Sequence, residues 1–306
     1  MPTAQRTSVL DRIGTIVEVD TVTAALIAAN LNWEVTKEQL RHPVTNELDN
    51  SYATMRSDNQ RILKWGISKI YNIVQNRFAF ELVDDMIRTM DCRISSAGEW
   101  RLGRRVWLNV ETPLRFEPVP GDVVQLKLLL ENAHDASMGQ RCTIFPERLA
   151  SGTGLVAENW SMMRSFSWRH TASVKARLQN AATIFARMAH NFDLINQTYT
   201  TLAQQQFTDL QAERFVKKIY PLPEEQGEED TNSIHRMNVL ELFHTNNGEN
   251  LESIRNTKYS MFNSVAKYVD HLQPHRGKVE NHAKSVTTGK ALKFKFLALS
   301  ALKNDN

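Results

Sequence analysis

The clearest hydrophobic pattern in the chain runs from Val174 to Leu202. Val174, Leu178, Ala181, Phe185, Met188, Phe192, Ile195, Tyr199 and Leu202 are spaced alternately 4 and 3 residues apart. A stripe of that period predicts one long helix, roughly 45 Å from end to end. So narrow a stripe needs a partner. Two are available: a fold-back onto Thr208 to Ile219, where Thr208 and Gln211 have capping-box spacing, or a second subunit.

Upstream, Tyr71 to Val74 is rich in β-formers and predicts a strand that Gln75-Asn76 stops. Phe78, Leu82, Val83, Met86, Ile87 and Met90 recur at helical spacing, with Asp84-Asp85 on the expected solvent face. Ile94 to Ala97 is short and extended. Gly98 and Gly103 bracket a charged tip, Glu99 to Leu102, and beyond it Val106, Leu108 and Val110 alternate with Trp107 and Asn109, as in a two-faced strand. Asp122 to Leu130 is the strongest buried strand. Glu131 to Ser137 is turn-like, Gln140 to Phe145 a strand ended by Pro146, and Ser165 to Arg169 another short strand. Near the N-terminus, Thr21 to Leu31 reads as a helix capped by Asp20 or Thr21, and Gly66 marks a bend or bulge in Arg61 to Ile67. Leu251 to Leu272 is an amphipathic helix stopped by Pro274, residues 275–290 a basic loop, and Ala291 to Leu302 a closing helix. The expected fold class is α+β: a central antiparallel sheet with a packed helix, the long helix, and a C-terminal helical part. The expected organisation is a peripheral segment 1–50, a strand-rich core 51–170, the long helix with its hairpin 171–222, an acidic connection 223–250 and C-terminal helices with a basic tail 251–306.

Composition bounds the chemistry. Of 306 residues, 42% are hydrophobic and 23% charged, which calls for a buried core rather than disorder. No apolar run is long enough to span a membrane, and the first residues do not read as a secretory signal. Cys92 and Cys142 are the only cysteines, which favours a reducing, cytoplasmic setting. The net charge of +3 is unevenly spread: −3 over residues 1–50, +5 over 51–180, −6 over 181–254 and +7 over 255–306. Basic excess in the core and tail suits a polyanionic partner.

Several segments occur together in one order: YNIVQNRFAFELVDDMI, AGEWRLGRRVW, LLLENAHDAS, SFSWRHTASVKARL and NTKYSMFNSVAKYVDHLQPHRGK. In these the chain resembles the phage/plasmid-like protein family, a domain of unknown function carried by phages, plasmids and integrated elements. The likeness covers roughly residues 50–305. It departs from the family pattern at Ala136, where a glycine is usual after His-Asp, and at Ala157, where a cysteine often stands. The resemblance implies no enzyme chemistry. Its setting implies DNA metabolism, and its sheet, glycine hairpin and basic residues are similar to those of single-strand annealing proteins.

The residues themselves carry no Walker phosphate loop, no zinc-binding His-Glu-x-x-His helix and no Gly-x-Ser-x-Gly elbow, so no cofactor or metal is expected. Nucleic-acid binding needs cations for phosphates and flat side chains for bases. Arg101, Arg104 and Arg105 interleave with Trp100 and Trp107, and Arg164 and Arg169 with Phe166, Trp168 and His170. Lys278, Lys284 and Lys290 add charge from the tail. The expected function is therefore ATP-independent binding and annealing of single-stranded DNA by a homo-oligomeric ring or filament, the arginines holding phosphates and Trp100 and Trp168 offering stacking surfaces. Two alternatives stand beside it. One is an interaction protein of a mobile element without DNA affinity. The other is a metal-dependent hydrolase using His134, Asp135 and His170.

Overall fold

The structure is a computed structural model that describes residues 8–156, 166–168, 174–222, 231–245, 251–275 and 277–304. Two antiparallel sheets organise it. The larger follows the order β1 (Thr15–Val19), β5 (Arg93–Trp100), β6 (Arg105–Phe116), β7 (Val124–Ala133), β8 (Gln140–Arg148) and β10 (Phe166–Trp168), with β9 (Thr153–Gly154) also on β8. The smaller is a meander of β2 (Val35–Arg41), β3 (Leu48–Arg56) and β4 (Ile62–Ile67). Helices α1 (Val22–Ala28) and α2 (Asn76–Met90) accompany the strands. The long α3 (Val174–Gln204) and then α4 (Asp209–Ile219), α5 (Thr231–Thr245), α6 (Lys258–Lys267), α7 (Val279–Thr288) and α8 (Lys290–Lys303) complete an α+β fold.

The large sheet has two chemically different faces. Val106, Leu108, Val110, Leu126, Leu128, Leu130, Cys142 and Ile144 alternate onto one face, are all buried, and pack on α2 and α3. The registers Trp107↔Glu131 and Glu131↔Arg141 place the other set, which includes Lys127, Phe145 and Glu147, on the opposite face. On that second face Phe145 and Glu147 line a small cavity together with Val286 of α7 and Leu292 of α8. The strand β7 is buried along its whole length, including the Glu131 to Ala133 end expected to be a turn.

The long helix forms over the predicted span. Ala181, Ile184, Met188, Ile195, Tyr199 and Leu202 are its buried stripe. Its partner is neither of the two anticipated: the stripe packs on α2, α6 and β6. The turn at Gln205–Phe207 lets α4 leave for α5 and α8 instead. Thr208 and Gln211 do make the capping box that starts α4.

Other expectations are corrected by tertiary contacts. Tyr71 to Val74 is not a strand: this segment is tied down by Tyr71 Oη donating to the Ala133 carbonyl at 3.3 Å and by Asn132 donating to the Val74 carbonyl at 2.9 Å. Asp84 and Asp85 are not a solvated pair. Asp84 accepts the Val22 N–H at 2.7 Å, so that it satisfies an orphan donor at the N-terminus of α1, and Asp85 is buried beside Arg88. Phe78 is exposed, and Ala79 and Phe80 take the buried positions. Pro146 does not end its strand; β8 runs through it to Arg148. Leu251 to Leu272 is not one amphipathic helix. It is a short 3-10 turn (Glu252–Ile254), the wholly buried α6, and a π-helical turn (Tyr268–Leu272). The basic loop of residues 275–290 contains α7.

Two closed ion-pair constellations bind the helical part to the sheet. Asp122 accepts from Arg148 Nε at 2.6 Å and from Tyr259 Oη at 2.8 Å. Lys295 Nζ lies 2.8 Å from Asp270 Oδ1 and donates to the Gly154 carbonyl at 2.7 Å, while Asp270 also accepts the Gly154 N–H at 3.0 Å. Both members of the Lys295–Asp270 pair are almost fully buried.

Candidate nucleic-acid interface

The β5–β6 hairpin is held from beneath by aromatic packing. Trp107 lies across from Gly98 in the ladder, and its indole covers the glycine so closely that a Cβ there would sit 2.4 Å from the ring. Trp100 packs against Trp107 with ring centroids 5.5 Å apart. Both are buried, so Trp100 cannot offer a face to a base; it is a core residue, because the pairing Trp100↔Arg105 puts it on the same covered face as Trp107.

The tip is a tight left-handed turn. Arg101, Leu102 and Gly103 have φ of 52°, 60° and 91°. Gly103 is required twice: by that φ, and because a Cβ would lie 2.9 Å from Arg56 Nη1 and 3.1 Å from Trp33. Arg56 is the post behind the tip. It stacks 4.2 Å over the Trp33 ring and pairs with Asp58 at 2.7 Å and Glu99 at 2.9 Å, which ties the small sheet to the hairpin. The bond from Arg56 holds the Asp58 carboxyl below the usual carboxylate range.

The turn puts cations outside. Arg101 and Arg104 are exposed. Arg105 donates from Nε and Nη2 to Ser137 Oγ at 3.2 and 3.0 Å, and Asp135 fixes Ser137 by accepting its N–H at 3.0 Å. Two strands away, Arg141 pairs with the buried Glu131, donating from Nε at 2.8 Å. Across the gap comes α7. The Lys284 ammonium is made less basic by burial, then by the nearby guanidinium groups of Arg105 and Arg101; Glu131 opposes this and Arg141 adds to it. Glu280, one turn earlier on the same helix face, accepts the backbone N–H of Arg101. Arg101, Arg105, Arg141 and Lys284 are therefore gathered near the carboxylates of Glu131 and Glu280, with Asp135 behind Ser137.

The anticipated residues separate as follows. Arg101, Arg105 and Lys284 are brought together, and Arg104 sits exposed on the same hairpin. Lys278 and Lys290 are exposed at the start of α7 and of α8, and are not among the strongest charged neighbours of Lys284. Arg164, Arg169 and His170, and the side chain of Trp168, lie outside the described residues. By backbone register Ser167, not Trp168, stands opposite Arg141, and Trp168 stands opposite Gln140. Arg141 was missed by sequence reasoning. Its signal was a lone arginine after Gly139-Gln140 at the start of a strand, too common a feature to single out.

His134 is occupied structurally. Asn76 donates its amide to the Leu31 carbonyl at 2.8 Å, so its oxygen faces His134 Nε2 at 2.7 Å and calls for the proton on that nitrogen. The ring packs edge-on against Trp33 with centroids 5.4 Å apart, and burial lowers the imidazole pKa to about 4. Among the described residues no group of three or more His, Cys, Asp and Glu side chains is arranged to hold a metal.

A second feature escaped the sequence reading. An open cleft of about 710 Å³ lies near β1 and is lined by Asp11, Asp20, Asp91, Arg93, Glu111, Lys127 and Glu147 among others. Lys127 is the lone charge in the apolar run VVQLKLLL. Its ammonium is 2.7 Å from Glu147 and 3.2 Å from Glu111. Burial works against its charge, but the carboxylates of Glu147 and Glu111 outweigh burial and raise its pKa.

An α+β protein with a cation-rich hairpin facing a C-terminal helix is the class that fold and site define. Residues 66–291 match the domain of unknown function DUF932, and the chain belongs to that family. Neither a curated protein nor a solved structure matches the chain.

Proposed function

We propose that this protein binds single-stranded DNA through the hairpin cluster and acts as an ATP-independent annealing protein in phage or plasmid recombination. The observation that carries the reading is the convergence of Arg101, Arg105, Arg141 and Lys284, from β5–β6, β8 and α7, at one end of the large sheet beside the carboxylates of Glu131, Glu280 and Asp135. Gathering like charges raises the energy of the fold unless an anion repays it, and a phosphate backbone supplies anions at regular spacing. Arg101, Arg104 and Arg105 bind phosphates, Arg141 and Lys284 extend the track, and assembly of copies into a ring or filament joins the tracks. The long helix buries its stripe within its own chain, so such an assembly uses other surfaces. The test is fluorescence anisotropy of a labelled single-stranded oligonucleotide at low and high salt, with duplex and RNA as competitors. The expected result is binding that weakens steeply with salt and prefers single strands, followed by annealing without ATP. Absence of binding at low salt overturns it.

A second reading, an interaction protein without DNA affinity, is favoured by the small sheet. Leu48 and Trp65 on its strands, and Val44 and Ile70 in the turns beside them, are exposed at 55%, 57%, 85% and 86%. A partner-bound arm with no oligonucleotide affinity supports that reading.

A further inference from the structure

The Glu280 contact is out of keeping with its surroundings. The turn at Arg101 to Gly103 takes the Arg101 N–H out of the strand ladder, whose last pair is Trp100↔Arg105. That donor, on an exposed tip that water would satisfy, is instead met by a side-chain carboxylate reaching in from α7. Helix spacing puts Lys284 on the same face as Glu280, one turn on. The carboxylate thus sits at a backbone N–H of the hairpin that carries the exposed Arg101 side chain, on the helix face that also carries Lys284. Backbone N–H with guanidinium and ammonium is the donor set that proteins offer to a phosphate group.

We infer that the tip of the β5–β6 hairpin is a phosphate site and that Glu280 occupies it as an internal anion, which an incoming backbone phosphate of single-stranded nucleic acid displaces. The choice of nucleic acid as the phosphate donor rests on the function proposed above; the site itself does not. Displacement exchanges one oxygen acceptor for another at the Arg101 N–H and releases the first turn of α7 from the hairpin. In the free protein Glu280 offsets one positive charge of the cluster, so the closed form binds polyanions less tightly than its cation count allows.

The experiment compares wild type with Glu280→Gln by oligonucleotide anisotropy across a salt series. A second arm follows the Arg101 amide resonance while inorganic phosphate is titrated into each protein. Glu280→Gln is expected to bind the oligonucleotide roughly 3- to 10-fold more tightly at low salt, with a salt slope steeper by about one phosphate equivalent. Phosphate is expected to shift the Arg101 amide saturably in Glu280→Gln, and at higher concentration in wild type. If wild type binds the oligonucleotide but Glu280→Gln binds no better, the inference is overturned and the function stands. If neither protein binds the oligonucleotide while phosphate still saturates the amide shift in Glu280→Gln, the site stands and the nucleic-acid reading falls. If phosphate leaves the Arg101 amide unmoved in both, the site is discarded. Thermal melting of both proteins guards against a folding defect, and a variant that loses stability without any change in salt slope shows Glu280 to be a helix anchor only.

Discussion

The rim at the hairpin and the interior at Lys295 treat charge in opposite ways. Lys295 and Asp270 are sealed together, and the remaining hydrogen-bond positions of the pair are taken by the carbonyl and N–H of Gly154. At the hairpin, Arg101, Arg105, Arg141 and Lys284 lie near Glu131 and Glu280, and the Lys284 ammonium is made less basic by burial and then by the guanidinium groups of Arg105 and Arg101. A paired buried charge is a lock: removing either partner strands the other in a low-dielectric interior. A crowd of like charges at a rim stores unfavourable energy in the free protein, and so it is suited to an anion that arrives from outside.

The comparison can be broken by mutation. Lys295→Met leaves Asp270 unpaired and should cost about 3–5 kcal/mol in urea unfolding, with much of it recovered in Lys295→Met/Asp270→Leu. An unchanged midpoint would mean that the interior is not locked. The buried histidine gives the next largest effect. His134 has a folded pKa of about 4 against an ordinary value near 6.5. The unfolded chain takes up the proton first as pH falls, so the stability fully present above about pH 6.5 is lost between there and pH 4. That amounts to roughly 3 kcal/mol at most. His134→Gln keeps a donor for Asn76, and its urea midpoint should depend less on pH over that window. Gly98→Ala drives a methyl into the Trp107 indole and should cost about 1–3 kcal/mol by thermal melting, since the ring must leave the strand it covers. Smallest in stability, and most telling, is Lys284→Met. It relieves repulsion, so the melting midpoint should hold or rise by up to about 0.5 kcal/mol equivalent. Oligonucleotide affinity should fall at the same time, with a salt slope shallower by about one. A loss of stability comparable to that of Lys295→Met would remove the distinction between the two regions.

Much of the fold was legible. The heptad stripe gave α3, the Thr208–Gln211 spacing gave the start of α4, Gly66 marked a bulge in β4, and the alternation about Trp107 gave β6. Each signal is local, since periodicity and capping depend on residues within a turn or two. Two kinds of feature stayed hidden. Strand β1 lacks a pattern of its own and is fixed by pairing with β5. The all-round burial of α6 arises because α3, α5 and α8 enclose that helix, and the π turn that follows it has no signal in the local pattern.

The candidate site divides along the same line. The sequence by itself determined that arginines and tryptophans crowd one glycine-bracketed hairpin and that the tail is basic. Only the tertiary structure decided which of them face outward. Trp100 went inward because it packs on the buried Trp107 on the same sheet face, while Arg141 and Lys284, 36 and 179 residues beyond Arg105, came to the rim because β8 and α7 close on the same hairpin. Spacing along a chain sets which face of an element a side chain takes. What that face meets is set by packing between elements distant in sequence, and no local pattern records it.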